Sequence, residues 1–307
     1  MAVSAVKVNI NGQDYNLTYN STSGKYEGTI TAPSTTSYHQ PSNKYGVTVT
    51  ATDDAGNVTV KDRTDAVLGS SLQLRVLEKD KPTISITSPS SGARATSATP
   101  KIEFKVRDAG SGINISSLDL KIDGGTKITN VSPGMTCTSV SGGYDCVYIP
   151  PTALGEGAHT ITISVQDNDS NTSDLLSSGF TVDTVPPALN ITSPSVGLVT
   201  NKPSLAVSGT TNDATSSPTR INIKLNNADQ GSVTVAENGA FSKTITLEEG
   251  VNTIEIVAID SAGLTSKVTR TVKLSTVAPT ISAVTLAPNP VDCGKTFVVS
   301  VTVTDLN

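Results

Sequence analysis

Apolar and polar positions alternate with period two along most of the chain, and a 3.6-residue helical period is hard to find anywhere. Val, Ile and Thr dominate the alternating stretches, as in pleated strands buried on one face. One such stretch recurs three times: Tyr45-Gly-Val-Thr-Val-Thr-Ala-Thr-Asp53, His159-Thr-Ile-Thr-Ile-Ser-Val-Gln-Asp167 and Asn252-Thr-Ile-Glu-Ile-Val-Ala-Ile-Asp260. Val47, Val49 and Ala51 share a face, as do Ile161, Ile163 and Val165, and Ile254, Ile256 and Ala258. The Asp closes the strand, and Gly56 and Gly263 supply the positive φ of a tight turn. The first position, Tyr45, His159 or Asn252, carries a polar tip suited to bonding back across a sheet corner.

A second signal marks where units begin. It reads Lys81-Pro-Thr-Ile84-Ser-Ile86, Pro187-Ala-Leu189-Asn-Ile191 and Pro279-Thr-Ile281-Ser. Each copy follows a closing strand, at 72–77, 179–182 and 267–274, and Pro interrupts the ladder between the two. The spacing is about that of one two-sheet sandwich. The expected organisation is therefore 1–80, 81–184, 185–277 and a partial unit at 278–307. The very short linkers predict a semi-rigid rod.

Residues 278–307 supply about two strands, at 281–286 and 297–304, and two strands cannot bury a core alone. Three readings follow: a cut from a longer protein, β-addition to a neighbouring chain, or packing against the preceding unit. The first is preferred.

The 307 residues carry 22 Lys and Arg against 27 Asp and Glu, a net charge of −5, which argues against a nucleic-acid partner. No apolar run is long enough to span a bilayer. The chain opens as a strand running into Asn11-Gly12, without the basic start and continuous apolar stretch of a secretory signal. Either a signal precedes the numbering or export takes another route.

The repeated elements resemble bacterial immunoglobulin-like repeats. The likeness rests on Asp53-Asp-Ala-Gly-Asn57, Asp108-Ala-Gly-Ser-Gly112 with Leu120-Lys-Ile-Asp-Gly124, and the Glu249–Gly263 stretch. It implies an all-β fold of tandem immunoglobulin-like sandwiches and leaves function open. The first unit resembles, more narrowly, immunoglobulin-like proteins of phages and prophages of Gram-positive bacteria. That likeness rests on Asn11-Gly12-Gln-Asp-Tyr15-Asn-Leu-Thr-Tyr19, Lys25-Tyr26-Glu-Gly-Thr, Thr31-Ala-Pro33 and Leu68-Gly-Ser-Ser-Leu72. It implies a virion component, made in the host cytoplasm and released by lysis, which accords with an opening that lacks a signal. Its expected partners are other virion proteins, host cell-wall glycans and further copies of itself. The alternative is the stalk of a secreted cell-surface protein, which would need a signal.

Two His, three Cys and no Trp leave little material for catalysis. Neither a nucleophile elbow nor a pair of acids for glycoside hydrolysis stands out. No catalytic, cofactor or metal residue is assigned, and no enzyme is expected. If Ser141-Gly142 is a two-residue hairpin loop, Cys137 faces Cys146 in a non-hydrogen-bonded pair that a disulfide can bridge. The competing reading is two reduced thiols, favoured by cytoplasmic synthesis. Cys293 is alone before the last strand.

Asp53, Asp54, Asp108, Asp167, Asp169, Asp183 and Asp260 cluster near turns. Their spacing matches no calcium loop, and two readings stand: calcium between modules, or side chains capping turn amides. Most Tyr residues fall in the first unit. Tyr45 and Tyr26 are read as core, whereas Tyr15, Tyr19 and Tyr38 form a contact surface for sugars or protein.

Overall fold

A computed structural model describes residues 2–305. Among them the only helical element is a single 3-10 turn, Pro41–Asn43. The chain divides into two compact units. One comprises residues 1–93, 99–154 and 158–180, and the other 94–98, 155–157 and 181–307.

The first segment holds β1 (Val3–Ile10), β2 (Gln13–Asn20), β3 (Lys25–Glu27), β4 (Tyr45–Asp53), β5 (Val58–Lys61) and β6 (Gln73–Leu74). These make one sheet of order β3-β2-β1-β4-β5, with β6 against the start of β4. The expected two-layered sandwich is thus replaced here by a single sheet. The physical reason lies in 28–44 and 62–72, which form turns and irregular chain where a second sheet would need strands. Ile30, Leu74 and Val76 pack instead against Val8, Ile10 and Tyr45.

The next segment holds β7 (Thr83–Ser88), β8 (Arg94–Ala95), β9 (Ile102–Arg107), β10 (Ile113–Ile122), β11 (Met135–Val140), β12 (Gly143–Tyr148), β13 (Gly157–Asp167) and β14 (Leu176–Val182). They form two four-stranded sheets, β10-β13-β14-β8 and β11-β12-β9-β7. Alternate residues from both sheets are fully buried: Ile102, Phe104 and Val106 from one, Leu120, Ile161 and Ile163 from the other. Period-two hydrophobicity therefore becomes a shared two-sheet core.

The third segment repeats the plan. It comprises β15 (Ala188–Ser193), β16 (Val199–Thr200), β17 (Ser204–Asn212), β18 (Arg220–Leu225), β19 (Ala228–Val233), β20 (Ala240–Thr246), β21 (Gly250–Ile259) and β22 (Thr265–Leu274). Sheets β15-β17-β20 and β16-β22-β21-β18-β19 enclose a core that includes Val207, Ile223, Phe241, Ile254, Ile256 and Val272. In both sandwiches a two-residue strand, β8 or β16, pairs in parallel with the closing strand, β14 or β22. The second and third segments thus form tandem immunoglobulin-like β-sandwiches.

The last two strands, β23 (Thr280–Ala287) and β24 (Val298–Thr304), form an antiparallel hairpin. Every residue of both strands is exposed, which corrects the reading that they fold against the preceding sandwich. Two strands offer a core only one wall, so their alternating valines have nothing to close on.

Candidate functional site

The three copies of the strand-ending Asp build one turn. Asp53 Oδ1 accepts the amides of Ala55 and Asn57, each at 2.9 Å, and its Oδ2 accepts the Asn57 side-chain amide at 2.9 Å. These bonds, led by that of the Asn57 side chain, hold the Asp53 carboxyl below the usual carboxylate range. Asp167 repeats the pattern with Asn171, through the backbone amide at 2.8 Å and the side chain at 2.7 Å. Asp260 Oδ1 accepts the amides of Ala262 at 2.8 Å and Leu264 at 2.9 Å. The third copy has Leu264 where the first two have Asn, and Asp260 Oδ2 is buried with no hydrogen-bond partner.

The fold brings two of these turn acids into threefold carboxylate groups, each lying within one compact unit. In the first, Glu78, Asp108 and Asp167 place ligating oxygens within 4.8 Å of one another. In the second, Asp183, Asp213 and Asp260 do the same, and all three are buried. The groups occupy the same positions in successive segments. Glu78 and Asp183 each stand five residues ahead of the first strand, β7 or β15. Asp108 and Asp213 each follow the next long strand, β9 or β17, directly. Asp167 and Asp260 sit at the ends of β13 and β21. In the first group Asp108 Oδ1 accepts the Gly110 and Gly112 amides at 3.1 and 2.7 Å, and Glu78 accepts the Ser111 amide. Sequence reading singled out four of the six acids and missed Glu78 and Asp213. Their constant offsets from flanking strands are the signal that could have found them.

The corner positions divide. The Tyr45 hydroxyl is buried 2.6 Å from Thr35 Oγ1. His159 Nδ1 lies 2.7 Å from Asp123 Oδ2, with its ring 5.5 Å from that of Phe180. Burial pushes the Asp123 carboxyl up, but the His159 ring and the Thr160 amide outweigh it and hold the group below its ordinary value. Asn252 is fully buried; it bonds locally to Glu248 and Gly250, and its Oδ1 also accepts the Asn226 side-chain amide at 3.3 Å from the neighbouring strand end.

Strands β11 and β12 turn at Ser141-Gly142, with Val140 opposite Gly143 and Cys137 opposite Cys146. Their Cα atoms are 4.1 Å apart and their sulfurs lie at bonding distance. Cys293 is exposed.

The three tyrosines proposed as one contact surface are not brought together. Tyr15 packs against the core of the first segment, because its alternate positions on β2 face inward with Leu17. Tyr19 is 55% exposed and lies 5.3 Å from the ring of Tyr26. Tyr38 is half-buried and stacks edge-on with His39, beside a depression of about 560 Å³ lined by residues 108–113 and 139–144. His39 Nε2 is 2.8 Å from the Gly110 carbonyl oxygen at the same place.

Glu156 accepts the Thr184 amide at 3.0 Å as well as the Thr184 hydroxyl. Glu249 accepts the Thr276 amide at 3.0 Å and its hydroxyl at 2.7 Å. In each case the glutamate of a Glu-Gly pair clamps the chain just past a closing strand.

Residues 82–163 match the family described as bacterial Ig domain, and residues 187–276 match the one described as glucodextranase, domain B. No curated protein matches the sequence. Among solved structures, the chain is similar to the fibronectin(III)-like modules of CbhA from Clostridium thermocellum. Identity there is 16%, over 63% of this chain and 94% of that one, with a TM-score of 0.37. It is also similar to Sidekick-1 immunoglobulin domains 1–5, at 12% identity over 91% of this chain and 55% of that one, TM-score 0.38. A third similar structure is the Bacteroides ovatus protein SGBP-B in complex with a mixed-linkage heptasaccharide. Identity is 15% over 92% of this chain and 62% of that one, with a TM-score of 0.22.

Proposed function

We propose that this tandem immunoglobulin-like protein acts without catalysis, presenting its modules on a phage particle as a tail-associated or decoration component. In this reading it is made in the host cytoplasm and associates with other virion proteins and with further copies of itself. It touches host-wall glycans weakly, and many copies turn weak contacts into avidity. The observation that carries the reading is the repeated Glu–Thr clamp at Glu156/Thr184 and Glu249/Thr276. A chain built for presentation has to hold each segment past its closing strand, and the same device recurs at both places. The match of residues 187–276 to a domain named for a glucan-acting enzyme supports a carbohydrate-associated setting. The phage assignment is supported by the motifs of the first segment.

A second reading is favoured by one observation. Cys137 and Cys146 stand at bonding distance, and disulfides persist in oxidising surroundings, which suits a stalk on the cell surface. Mass spectrometry of purified particles, with immunogold labelling, tests the choice. Stoichiometric recovery from particles is expected. Absence there, with recovery from the cell-wall fraction, would replace the first reading by the second. Binding to host-wall polymers in a pull-down is expected to be weak and to depend on multivalent display. Release of reducing sugar from a glucan panel would overturn the non-enzymatic reading.

A further inference from the structure

The geometry points to a divalent-cation site, of calcium character, formed by Asp183, Asp213 and Asp260. All three lie within one compact unit. They come from distant places in the sequence: the chain just past β14, the end of β17 and the end of β21. Asp183 is 0% exposed, Asp260 3% and Asp213 9%. Three carboxylates buried together in mutual reach repel one another and have lost their water, an arrangement that calls for a compensating cation.

The hydrogen bonding says which oxygens face that cation. Asp213 Oδ1 is taken by the Thr215 and Ser216 amides at 2.8 and 2.6 Å. Asp260 Oδ1 is taken by Ala262 and Leu264, and Asp183 Oδ1 by the Val185 amide at 3.3 Å. One oxygen of each carboxylate is thereby fixed by backbone. The remaining oxygens of Asp183 and Asp260 are buried with no partner at all. A third buried atom without a partner, Ser216 Oγ, belongs to the Asp213 turn itself. In the other two copies of the strand-ending turn an Asn side chain occupies the second oxygen. Here Leu264 leaves it bare.

The donor set is all oxygen, which suits a hard cation over zinc. Calcium is the favoured hard cation because it takes roughly six to eight oxygens in flexible geometry, whereas Mg²⁺ demands a near-ideal octahedron and keeps several of its waters. The three carboxylates each offer an oxygen within 4.8 Å of the others. Bound calcium would tie the chain past β14 to two turns of the third sandwich.

The test uses the full chain, stripped with EDTA and exchanged into metal-free buffer, titrated with CaCl₂ by calorimetry. Saturable binding is expected, with a Kd between about 10⁻⁶ and 10⁻³ M. Asp213→Asn and Asp260→Asn should each weaken it at least about tenfold, the loss of one carboxylate ligand. Asp54→Asn, an exposed turn acid, should leave it unchanged. Leu264→Asn guards against variants that fail to fold, because the first two turns carry Asn at this position. It should keep the far-ultraviolet circular dichroism spectrum, raise the metal-free Tm and weaken calcium binding. The proposal is overturned if no binding is seen up to 10 mM CaCl₂, a ceiling about tenfold above the weakest expected Kd. It is equally overturned if binding persists undiminished in both folded Asp260→Asn and Leu264→Asn.

Discussion

Replacement of Gly209 by alanine puts the packing of the third sandwich to a sharp test. Gly209 sits in the middle of β17, opposite Ile191 of β15 and Phe241 of β20. A Cβ there would lie 2.2 Å from the Asn190 carbonyl oxygen and 3.0 Å from Phe241 Cζ. Ordinary contact begins near 3.4 Å, so β15 has to withdraw by more than 1 Å. The obstructing oxygen is backbone held in a ladder, and Phe241 is a core side chain 4% exposed, so neither can swing aside. Overpacking of a tight interior costs about 1–3 kcal/mol, and a clash with backbone belongs at the upper end. For a sandwich of this size each kcal/mol moves Tm by roughly 4–8 °C, so Gly209→Ala should lower the transition of the third sandwich by about 10 °C or more. Differential scanning calorimetry of the full chain reads this directly. Gly155→Ala is the control: its Cβ would meet nothing within 4 Å, and its effect should stay within about 0.5 kcal/mol. A Gly209→Ala protein that melts with the parent would show that β15 and β17 do not approach as described.

Three further outcomes are expected. Alkylation without reductant should label Cys293 alone, and reduction should expose two more thiols while removing about 2–3 kcal/mol of stability; three labels at the outset would refute the Cys137–Cys146 pairing. Ile163→Ala, at a fully buried position, should cost about 2–5 kcal/mol in urea unfolding, whereas Val299→Ala, 54% exposed on β24, should change stability by less than about 0.5 kcal/mol. The Asp65 carboxyl, held down to about 2 chiefly by the Lys61 ammonium and by the Leu68 and Val67 amides, should titrate far below 3.8 by NMR. Because its folded value is depressed, its contribution to stability is present above pH 3.8 and lost as pH falls through about 2; Lys61→Met should move the midpoint upward, and an unmoved midpoint would refute the assignment.

Strand positions and the burial faces of β13 and β21 were legible because strand periodicity is local. Ile161, Ile163, Ile254 and Ile256 declare their face by spacing alone, and all four are fully buried. The Cys137–Cys146 register was legible for the same reason, since a two-residue loop dictates which residues stand opposite. The single sheet of the first segment was not. Ile30 and Val76 look like strand residues, but whether a second sheet forms depends on pairings that 28–44 and 62–72 do not make. Tyr15, expected on a contact surface, packs partly buried against the first segment's core for a related reason. An aromatic residue beside polar neighbours reads alike as surface or core until its sheet face is known.

The sequence by itself determined the local matters: period-two strands, turn acids bonded to their own following amides, and the Pro-marked starts of successive segments. These depend on contacts across a few residues, and steric and hydrogen-bonding rules settle them without reference to the rest of the chain. Only the tertiary structure decided which acids meet. Three strands separate Asp183 from Asp213 and four separate Asp213 from Asp260; their repeated offsets from flanking strands mark the positions but do not show that their oxygens converge within 4.8 Å. Convergence of that kind is set by how two sheets pack and where their strands end, which is a property of the whole sandwich.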